Sequence, residues 1–263
     1  MMKETNPGTT PAYWYEFRQK WARVEAEIIT EAFITIYVND LELTTIMGTP
    51  YQQDALALGF LKNETLIHDM NEIKNIHISK DGCCVEVWLN HAIEKPERVI
   101  ITSGCSGGIS FNDPNIDLQP LQSNISIQPK LLLRAFKQLQ PPSSLYARSR
   151  GVHAAGLLEP EGEEILVIAE DVGRHNTIDK VTGICLKENI KTKDCIIIVT
   201  GRISSEMLKK AARLGCPIIA SRTSPTSMSI EMAQATNITL IGYVRQGGMR
   251  VYSYPERLGF SDE

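Results

Sequence analysis

Several features that would quickly assign a protein to a class are missing from this chain of 263 residues. No CxxC spacing joins any of its six cysteines, which excludes zinc-ribbon and thioredoxin-like sites. Neither a Walker A pattern nor GxGxxG occurs, so the sequence has no P-loop and no dinucleotide fingerprint. The longest apolar run, residues 55–61, is only seven residues long even with Gly59 counted, whereas a membrane-spanning helix needs about 20.

An excess of charge of one sign is also missing. Lysine and arginine number 27 against 31 for aspartate and glutamate, and both halves of the chain share this balance. The composition therefore gives no electrostatic argument for nucleic-acid binding. No apolar stretch follows the first lysine as it would in a secretory signal. We expect a cytoplasmic protein that binds neither nucleic acid nor a membrane.

Spacing typical of metal ligands does not occur either. His68, His77, His91 and His153 are isolated from one another in the sequence. No HxE motif is paired with PCxxC, the combination that zinc-dependent deaminases use. We expect no zinc site.

The order of apolar, polar and breaker residues indicates three parts. Residues 1–23 are predicted to be a mobile N-terminal arm, 24–128 a β-rich N-terminal subdomain, and 129–263 an α/β domain. In the second part, β-branched residues on both sides of Asn39-Asp40 predict a hairpin. Thr49 and Pro50 then match the N-cap and first residue of a helix.

Aromatic residues are concentrated near the N-terminus, at Tyr13, Trp14, Tyr15, Phe17 and Trp21. Such a group can anchor a partner protein. Because large aromatic side chains are usually buried, the favoured interpretation is that these cover an edge of the core. We therefore assign them no function from the sequence.

The second half alternates between strand and helix patterns. Strands are predicted at residues 165–169, 195–199, 217–221 and 239–244, with helices near 176–187, 204–214 and 225–236 between them. A last strand, at 249–254, is predicted to return antiparallel. This order predicts an α/β layer with a largely parallel sheet.

An arginine follows each of the four predicted strands, at Arg174, Arg202, Arg222 and Arg245. If the strands are parallel, all four lie at the sheet edge where ligands bind in open α/β folds. Helix N-termini at the same edge also attract anions, so we expect a polyanionic ligand. The alternative is that each arginine forms a surface salt bridge. For any single arginine this is the better explanation, but it is less favoured when four arginines occupy equivalent positions.

Further candidate ligand contacts lie at the same predicted edge. Glycines 173, 201, 247 and 248 would let the backbone approach a phosphate closely. Asp171, His175 and Asn176 are predicted to hydrogen-bond a base or a sugar.

One cysteine has a setting that suits chemistry. Cys105 lies in ITSGCSGG, residues 101–108, where small neighbours predict an exposed, pliable loop and a thiol able to act as a nucleophile. Cys83, Cys185, Cys195 and Cys216 fall in apolar patterns typical of buried structural cysteines. The pattern leaves Cys84 ambiguous.

Long motifs in series identify a resemblance. AEDVGRHNTIDKV (169–181), TGRISSEMLKKAARLGCPIIASRTSPTS (200–227) and LIGYVRQGGMRVYSYPERL (240–258), with IYVND and TPYQQDALALGFL upstream, resemble the FdhD family of formate dehydrogenase accessory proteins. The resemblance runs from about residue 24 to 258. Several long motifs in one order are far more specific than one short pattern.

The resemblance implies a fold and a function. The fold is a cytidine-deaminase-like three-layer α/β sheet without zinc. The function is that of a sulfur carrier, which takes persulfide sulfur from a cysteine desulfurase and passes it to the molybdenum (or tungsten) bis(molybdopterin guanine dinucleotide) cofactor before that cofactor is inserted into formate dehydrogenase. Formate dehydrogenase activity would depend on this step. The resemblance also implies a homodimer.

The resemblance gives the candidate residues roles. Cys105 matches the first cysteine of the family's loop and would carry the persulfide. The stretch that matches the cofactor-binding segment consists of Tyr243, Val244, Arg245, Gln246, Gly247 and Gly248. Arg174, His175, Gly201, Arg202 and Arg222 complete the predicted cofactor site.

One position departs from the family pattern. Many members have CxxC in the loop, whereas this chain has Gly108 at the second position. A single cysteine can still carry a persulfide, because its outer sulfur can be attacked with the thiolate as leaving group. The alternative is a cofactor-binding chaperone that transfers no sulfur. Nucleoside deamination by fold analogy is disfavoured because the zinc ligands are missing.

Overall fold

The computed structural model describes residues 8–96, 100–101, 109–111, 118–161, 164–245 and 247–261. Within these ranges no helix is both long and apolar enough to cross a bilayer. Cys105, Gly108 and Gln246 lie outside the described residues.

The chain begins with a two-stranded antiparallel hairpin made of β1 (Thr9–Phe17) and β2 (Trp21–Ile29). The predicted mobile arm is therefore wrong for residues 9–23. Pro11 is a loop signal in the sequence, but a proline is tolerated in a strand at the edge of a sheet. The interpretation of the aromatic residues as a cover for the core is also wrong, because Tyr15 is 63% exposed, Phe17 61% and Trp21 69%.

A four-stranded sheet follows, with strand order β4-β3-β6-β5. Its elements are β3 (Ala32–Val38), β4 (Leu41–Gly48), α1 (Gln53–Asn63), β5 (Ile73–Ile78) and β6 (Cys84–Leu89). The predicted hairpin at Asn39-Asp40 is confirmed, with both residues at positive φ. The predicted helix start is wrong: Gln52 is the N-cap, because the Thr49 hydroxyl accepts a hydrogen bond from Val172 instead.

Two very short strands, β7 (Ile100–Ile101) and β8 (Ile109–Ser110), pair antiparallel. They flank residues 102–108, which include Cys105. Those seven residues are outside the described ranges.

The second sheet has six strands in the order β10-β9-β11-β12-β13-β14. The elements are α2 (Pro129–Gln138), α3 (Leu145–Ser149), β9 (His153–Leu158), β10 (Ile165–Asp171), α4 (Arg174–Lys187), β11 (Ile196–Val199), α5 (Ser205–Arg213), β12 (Ile218–Ser221), α6 (Ser227–Ala235), β13 (Thr239–Arg245) and β14 (Gly248–Val251). The predicted alternation and the antiparallel last strand are confirmed.

Strand β9 is not predicted by the sequence pattern. Its sequence, HAAGLL, is rich in alanine and glycine, which are depleted in strands. It is antiparallel to both β10 and β11 and lies between them. Since β11, β12 and β13 are mutually parallel, β10 still points the same way as those three strands.

Helices cover both faces of this sheet. Ile178 of α4, Met207 of α5 and Ala233 of α6 pack in one core with Ile197 of β11. Leu132 of α2 packs on the other face, in a core that includes the next strand residue, Ile198, as expected from the alternation of strand side chains. The fold is mixed α/β, and the cytidine-deaminase-like arrangement stays a prediction.

The two sheets are joined where α1 crosses α4. A Cβ atom on Gly59 would lie 1.7 Å from the carbonyl oxygen of Asp179, and one on Gly183 would lie 1.9 Å from that of Ala55. The two backbones therefore touch at glycines that no other residue can replace without moving a helix.

Candidate site at the carboxyl ends of the strands

The four predicted arginines lie at the carboxyl ends of β10, β11, β12 and β13: three follow their strand, and Arg245 is the last residue of β13. Because these strands point the same way, all four arginines lie along one edge of the sheet, as predicted. Their surroundings differ. Arg174 is buried, Arg222 is half-buried, and Arg202 and Arg245 are exposed.

At the β10 end of the edge, the polar groups bind one another. Asp171 and Lys180, both fully buried, form an ion pair of 2.6 Å. The Asp171 carboxylate also accepts hydrogen bonds from the Thr49 and Gly173 backbone amides and from the Asn176 side chain. The predicted contact of Asp171 and Asn176 with a base or sugar stays a prediction, because in this structure both side chains are used within the protein. They join the two sheets.

His175 and Arg174, at the start of α4, lie beside this network. The His175 ring nitrogen Nε2 is 3.1 Å from Ser204 Oγ. Burial, with smaller contributions from Lys210 and Arg174, lowers the pKa of His175 to about 3, so its imidazole is neutral at physiological pH. A Cβ atom on Gly201 would lie 3.0 Å from Arg174 Cβ, so a larger residue there would require the Arg174 side chain to shift. The cofactor contacts predicted for these three residues remain untested.

At the β12–β13 end, the edge opens into a cleft of about 530 Å³. This volume falls in the range of small-molecule sites. The cleft is bounded by strand-end residues and by one side of α2, and its lining residues are Leu133, Phe136, Lys137, Arg222, Val244, Arg245 and Gly247. It thus brings together four of the predicted site residues and combines apolar walls with three cationic side chains.

Arg222 and Arg245 have different roles in this cleft. The Arg222 guanidinium donates to the Phe136 carbonyl oxygen and to Gln140 Oε1, both at 2.6 Å. It therefore holds the C-terminal end of α2 in place. Arg245 donates through Nε to the Arg222 carbonyl oxygen at 3.3 Å, and its side chain is exposed. Arg245 and Lys137 are consequently the cations best placed to meet a ligand.

The end of β13 and the turn after it have an unusual backbone. Tyr243 has a φ of 54°, a left-handed conformation that is rare for an aromatic residue, and the Arg250 guanidinium lies 4.2 Å from its ring centroid. Gly247 has a φ of 86°, which favours glycine, and among the described residues other than its chain neighbours no atom lies within 4 Å of its Cβ position. Gly248 begins β14. The backbone is therefore open to a ligand at the turn.

A larger cavity, of about 980 Å³, lies near the amino ends of β10 and β11. Its charged lining mixes lysines with acidic side chains, among them Lys191, Lys193, Glu159 and Asp194. A mixed lining does not favour a polyanion. The smaller cleft at the strand ends is therefore the better candidate site.

The described cysteines differ in exposure. Burial raises the pKa of Cys185 to about 12 and that of Cys195 to about 11, and it also raises the pKa of the fully buried Cys216. These three thiols stay protonated at neutral pH, so they suit structural positions, as predicted. Cys83 and Cys84 are half-buried beside a turn.

The stem of the Cys105 loop is attached to α1. Glu64, the C-cap of α1, accepts hydrogen bonds from the Phe111 backbone amide at 2.8 Å and the Ser110 hydroxyl at 3.2 Å. The Phe111 ring also packs edge-on against Phe60. Burial raises the pKa of Glu64. The stem is thereby held against the helix that joins the two sheets.

Comparison with known proteins identifies the family. The sequence model of the FdhD/NarQ family matches residues 29–259. The chain belongs to the FdhD/NarQ family. It is 35% identical over 251 residues to the sulfur carrier protein FdhD of Bacillus subtilis, covering 93% of this chain and 95% of that protein. With the sulfur carrier protein FdhD of Staphylococcus haemolyticus it shares 37% identity over 237 residues, 88% and 89% of the two chains.

A solved structure supports the same assignment. A crystal structure from Desulfotalea psychrophila, assigned as a formate dehydrogenase accessory protein, superposes with a TM-score of 0.80 and 27% identity. The match covers 96% of this chain and 100% of that one. The resemblance inferred from the motifs is confirmed.

Sequence reasoning missed one wall of the cleft in this FdhD/NarQ protein. Lys137, Phe136 and Gln140 lie at the C-terminal end of α2 and just beyond it, about 80 residues or more before the strand ends they face. The amphipathic pattern of residues 129–139 predicts the helix but not the element that it packs against. No local signal connects Lys137 to Arg245.

Proposed function

We propose that this chain is a sulfur carrier that accepts persulfide sulfur on Cys105 from a cysteine desulfurase. It then passes the sulfur to the molybdenum (or tungsten) bis(molybdopterin guanine dinucleotide) cofactor, its substrate, before that cofactor enters formate dehydrogenase. The observation that carries the proposal is membership of a family whose similar relatives are named sulfur carriers. The cationic cleft at the strand ends supports it independently.

The first step is a thiol exchange at sulfur. The Cys105 thiolate attacks the outer sulfur of the desulfurase persulfide, the S–S bond there breaks, and the desulfurase cysteine leaves as a thiolate. Buried cysteines compete poorly for this sulfur, since the raised pKa of Cys185 and of Cys195 keeps their thiols protonated.

The second step breaks the S–S bond on Cys105. A thiol reductant supplies two electrons and is itself oxidised to a disulfide, the outer sulfur is released as hydrogen sulfide, and Cys105 returns as a thiolate. The hydrogen sulfide would replace an oxygen ligand of the cofactor, its substrate, and that oxygen would leave as water. This cycle uses one cysteine, so Gly108 in place of a second loop cysteine does not prevent it.

The strand-end cleft is proposed to hold a guanine dinucleotide arm of the substrate. Its diphosphate would meet Arg245 and Lys137, and the apolar side chains of Leu133, Phe136 and Val244 would contact the less polar parts of the nucleotide. Glycine at 247 leaves the backbone open to the same ligand.

A test starts with mass spectrometry of the Cys105 peptide after incubation with a cysteine desulfurase and cysteine, without reductant. We expect one added sulfur on Cys105. The Cys105→Ala variant should lose formate dehydrogenase maturation while keeping the wild-type melting temperature. Cys84→Ala, at another cysteine that is not fully buried, is the matched control and should keep full activity.

The opposite result identifies the alternative function. If Cys105→Ala supports full maturation, the chain does not carry sulfur through Cys105. If that variant also binds GDP normally, the chain is a cofactor-binding chaperone that transfers no sulfur. The glycine at position 108, where many family members have a second cysteine, would then help to explain the lost transfer.

A further inference from the structure

The four-stranded sheet has one covered face and one exposed face. Its inner face carries Ile34, Ile36, Val85 and Val87, which are fully buried in one core with side chains of α1. The outer face is open to solvent. Phe33 of β3 is 65% exposed, whereas its neighbour Ile34, which points the other way, is 0% exposed.

The outer face carries large side chains that no core uses. Phe33, Tyr37, Met47 and Trp88 all lie on this face, as the strand pairing shows. Within the described residues, none of the four belongs to any of the three hydrophobic cores. A sheet face that stays in water is normally polar. Exposed aromatic side chains grouped on one surface are typical of an interaction site.

Two carboxylates flank Tyr37 on this face. Glu42 of β4 is opposite Tyr37 on one side, and Glu86 of β6 is opposite it on the other. The Tyr37 hydroxyl donates to Glu42 Oε2 at 3.3 Å. The Glu42 carboxylate, with a smaller contribution from Glu86, raises the pKa of Tyr37, as expected in a negative potential. The centre of the outer face is therefore an anionic place.

No cation neutralises these two carboxylates in the part of the chain that the structure describes. Glu86 forms neither a hydrogen bond nor an ion pair there. Lys95 is close to Glu42 but donates to its main-chain carbonyl oxygen. Residues 32–96 contain four lysines and nine acidic residues, a net charge of −5, whereas the whole chain has −4. The acidic excess of the protein is thus concentrated in this sheet and its helix.

The spacing of these groups suits arginine side chains. Neighbouring strands are about 4.8 Å apart, so Glu42 and Glu86 leave the sheet about 10 Å apart with the Tyr37 ring between them. Trp88 is two residues beyond Glu86 on the same face of β6. A guanidinium group can bind a carboxylate through two hydrogen bonds and can stack on an aromatic ring. The outer face offers both kinds of contact side by side.

We propose that the outer face of this sheet binds an arginine-rich segment of a partner protein. Arginine side chains of that segment pair with Glu42 and Glu86 and stack on Tyr37 and Trp88. Tyrosine, tryptophan and arginine are the side chains that most often dominate the binding energy of protein interfaces. The proposal depends neither on sulfur transfer through Cys105 nor on the strand-end cleft.

Charge removal tests the proposal in the full-length chain, with fluorescein-labelled hexa-arginine as the probe and its dissociation constant measured by fluorescence anisotropy. Glu86→Gln and Glu42→Gln should each raise that constant about tenfold, through the loss of one charge-assisted contact. Glu231→Gln removes the same charge from an exposed position on α6 and is the matched control. It should change the constant by less than about twofold.

A second peptide separates arginine recognition from attraction by net charge. Hexa-lysine has the same charge as hexa-arginine, but an ammonium group cannot form the two parallel hydrogen bonds that a guanidinium forms with a carboxylate. It should therefore bind about fivefold more weakly. Equal affinities for the two peptides would contradict the contacts proposed for Tyr37 and Trp88.

A native thiol reports where the peptide binds. Cys84 is half-buried on the outer face, two residues before Glu86, whereas Cys83 precedes the strand. Saturating hexa-arginine should slow the alkylation of Cys84 by iodoacetamide severalfold, as followed by peptide mass spectrometry. Alkylation of Cys83 should change much less.

Three results would overturn the proposal. The first is equal weakening by Glu231→Gln and Glu86→Gln, which would show attraction to the acidic protein as a whole. The second is unchanged alkylation of Cys84 when the peptide is bound. The third is no binding of hexa-arginine together with reduced self-association of Phe33→Glu in analytical ultracentrifugation, which would show that a second copy of the chain covers this face.

Discussion

Both ends of this sheet edge are formed by the carboxyl ends of strands, but the polar side chains are buried at one end and exposed at the other. At the β10 end, Asp171, Lys180 and Asn176 are buried and bind one another, and Thr49 of the N-terminal sheet completes the network. At the β12–β13 end, Arg245 is exposed beside an open cleft. The difference arises from what packs on each end: the β4–α1 connection fills the first, whereas α2 stands back from the second.

This contrast shows that position after a strand does not decide function by itself. Arg174 and Arg245 both lie at the carboxyl end of a strand, and those two strands point the same way, yet Arg174 is 3% exposed and Arg245 is open to solvent. Polar groups in a buried cluster are held by hydrogen bonds among themselves, and losing one partner leaves a charge in a medium of low dielectric. Polar groups in an open cleft can exchange water for a ligand.

The largest expected effect is at the buried end. Asp171→Asn should lower the free energy of unfolding by about 3–5 kcal/mol, because it leaves the Lys180 ammonium buried without its counter-ion. Urea unfolding followed by circular dichroism measures the loss. Arg245→Ala, at the open end, should change the same quantity by about 0.5 kcal/mol or less.

The double variant D171N/K180M separates charge from packing. It removes both ions, so it should recover part of the stability that Asp171→Asn loses. If the single variant were as stable as wild type, the ion pair would not be what joins the sheets, and the comparison of the two ends would fail.

Local patterns predicted most of the architecture. The strand and helix alternation from residue 165 onward and the turn at Asn39-Asp40 follow from periodicity and turn chemistry. The predictions that failed concern residues whose structure depends on contacts with distant parts of the chain. Thr49 is a helix cap by sequence, but its hydroxyl is used by Val172 of the other sheet. β9 is alanine- and glycine-rich, and its place between β10 and β11 gives it strand character that its own residues do not indicate.

The second prediction concerns pH and again separates the buried end from the open one. The folded-state pKa of His175, about 3, lies below its ordinary value of 6.5, so its stabilising contribution is complete above pH 6.5 and is lost as the pH falls toward 3. From this group alone, unfolding at pH 5 should cost about 2 kcal/mol less than at pH 7.

The His175→Gln variant isolates that contribution. Other groups titrate as well: the pKa of His153 is also lowered, chiefly by burial, and that of Glu64 is raised. The difference between wild type and His175→Gln cancels those groups. Equal pH slopes for the two proteins between pH 7 and 5 would show that His175 is not held neutral by the fold.

Candidate site residues were predicted less completely than the fold, for the same physical reason. The sequence pattern placed the four arginines on one edge of the sheet, but only the packing of the folded chain shows which of them are buried. Arg222 was predicted as a ligand contact, and its guanidinium is bound by Phe136 and Gln140 of another element. Exposure depends on tertiary contacts that a single sequence does not display.

The third prediction tests the open end by itself. Arg245→Ala should weaken GDP binding about tenfold, the loss of one charge-assisted contact to phosphate, without changing the melting temperature. Isothermal titration calorimetry measures the affinity. Lys130→Ala, at an exposed lysine of α2 that does not line the cleft, is the control and should bind GDP as wild type does. Unchanged binding in Arg245→Ala would remove the nucleotide from this cleft.

The smallest effect is expected from a residue that acts through another. Gln140 accepts a hydrogen bond from the Arg222 guanidinium, so Gln140→Ala should loosen Arg222 and the end of α2 without removing a charge from the cleft. We expect GDP binding to weaken about threefold, the effect of one neutral hydrogen bond. Gln140→Glu keeps an acceptor and should hold Arg222 as before. The contrary outcome is that Gln140→Ala binds GDP as tightly as wild type while Arg245→Ala does not. In that case the position of the α2 end would not affect GDP affinity, which would depend on Arg245 of β13.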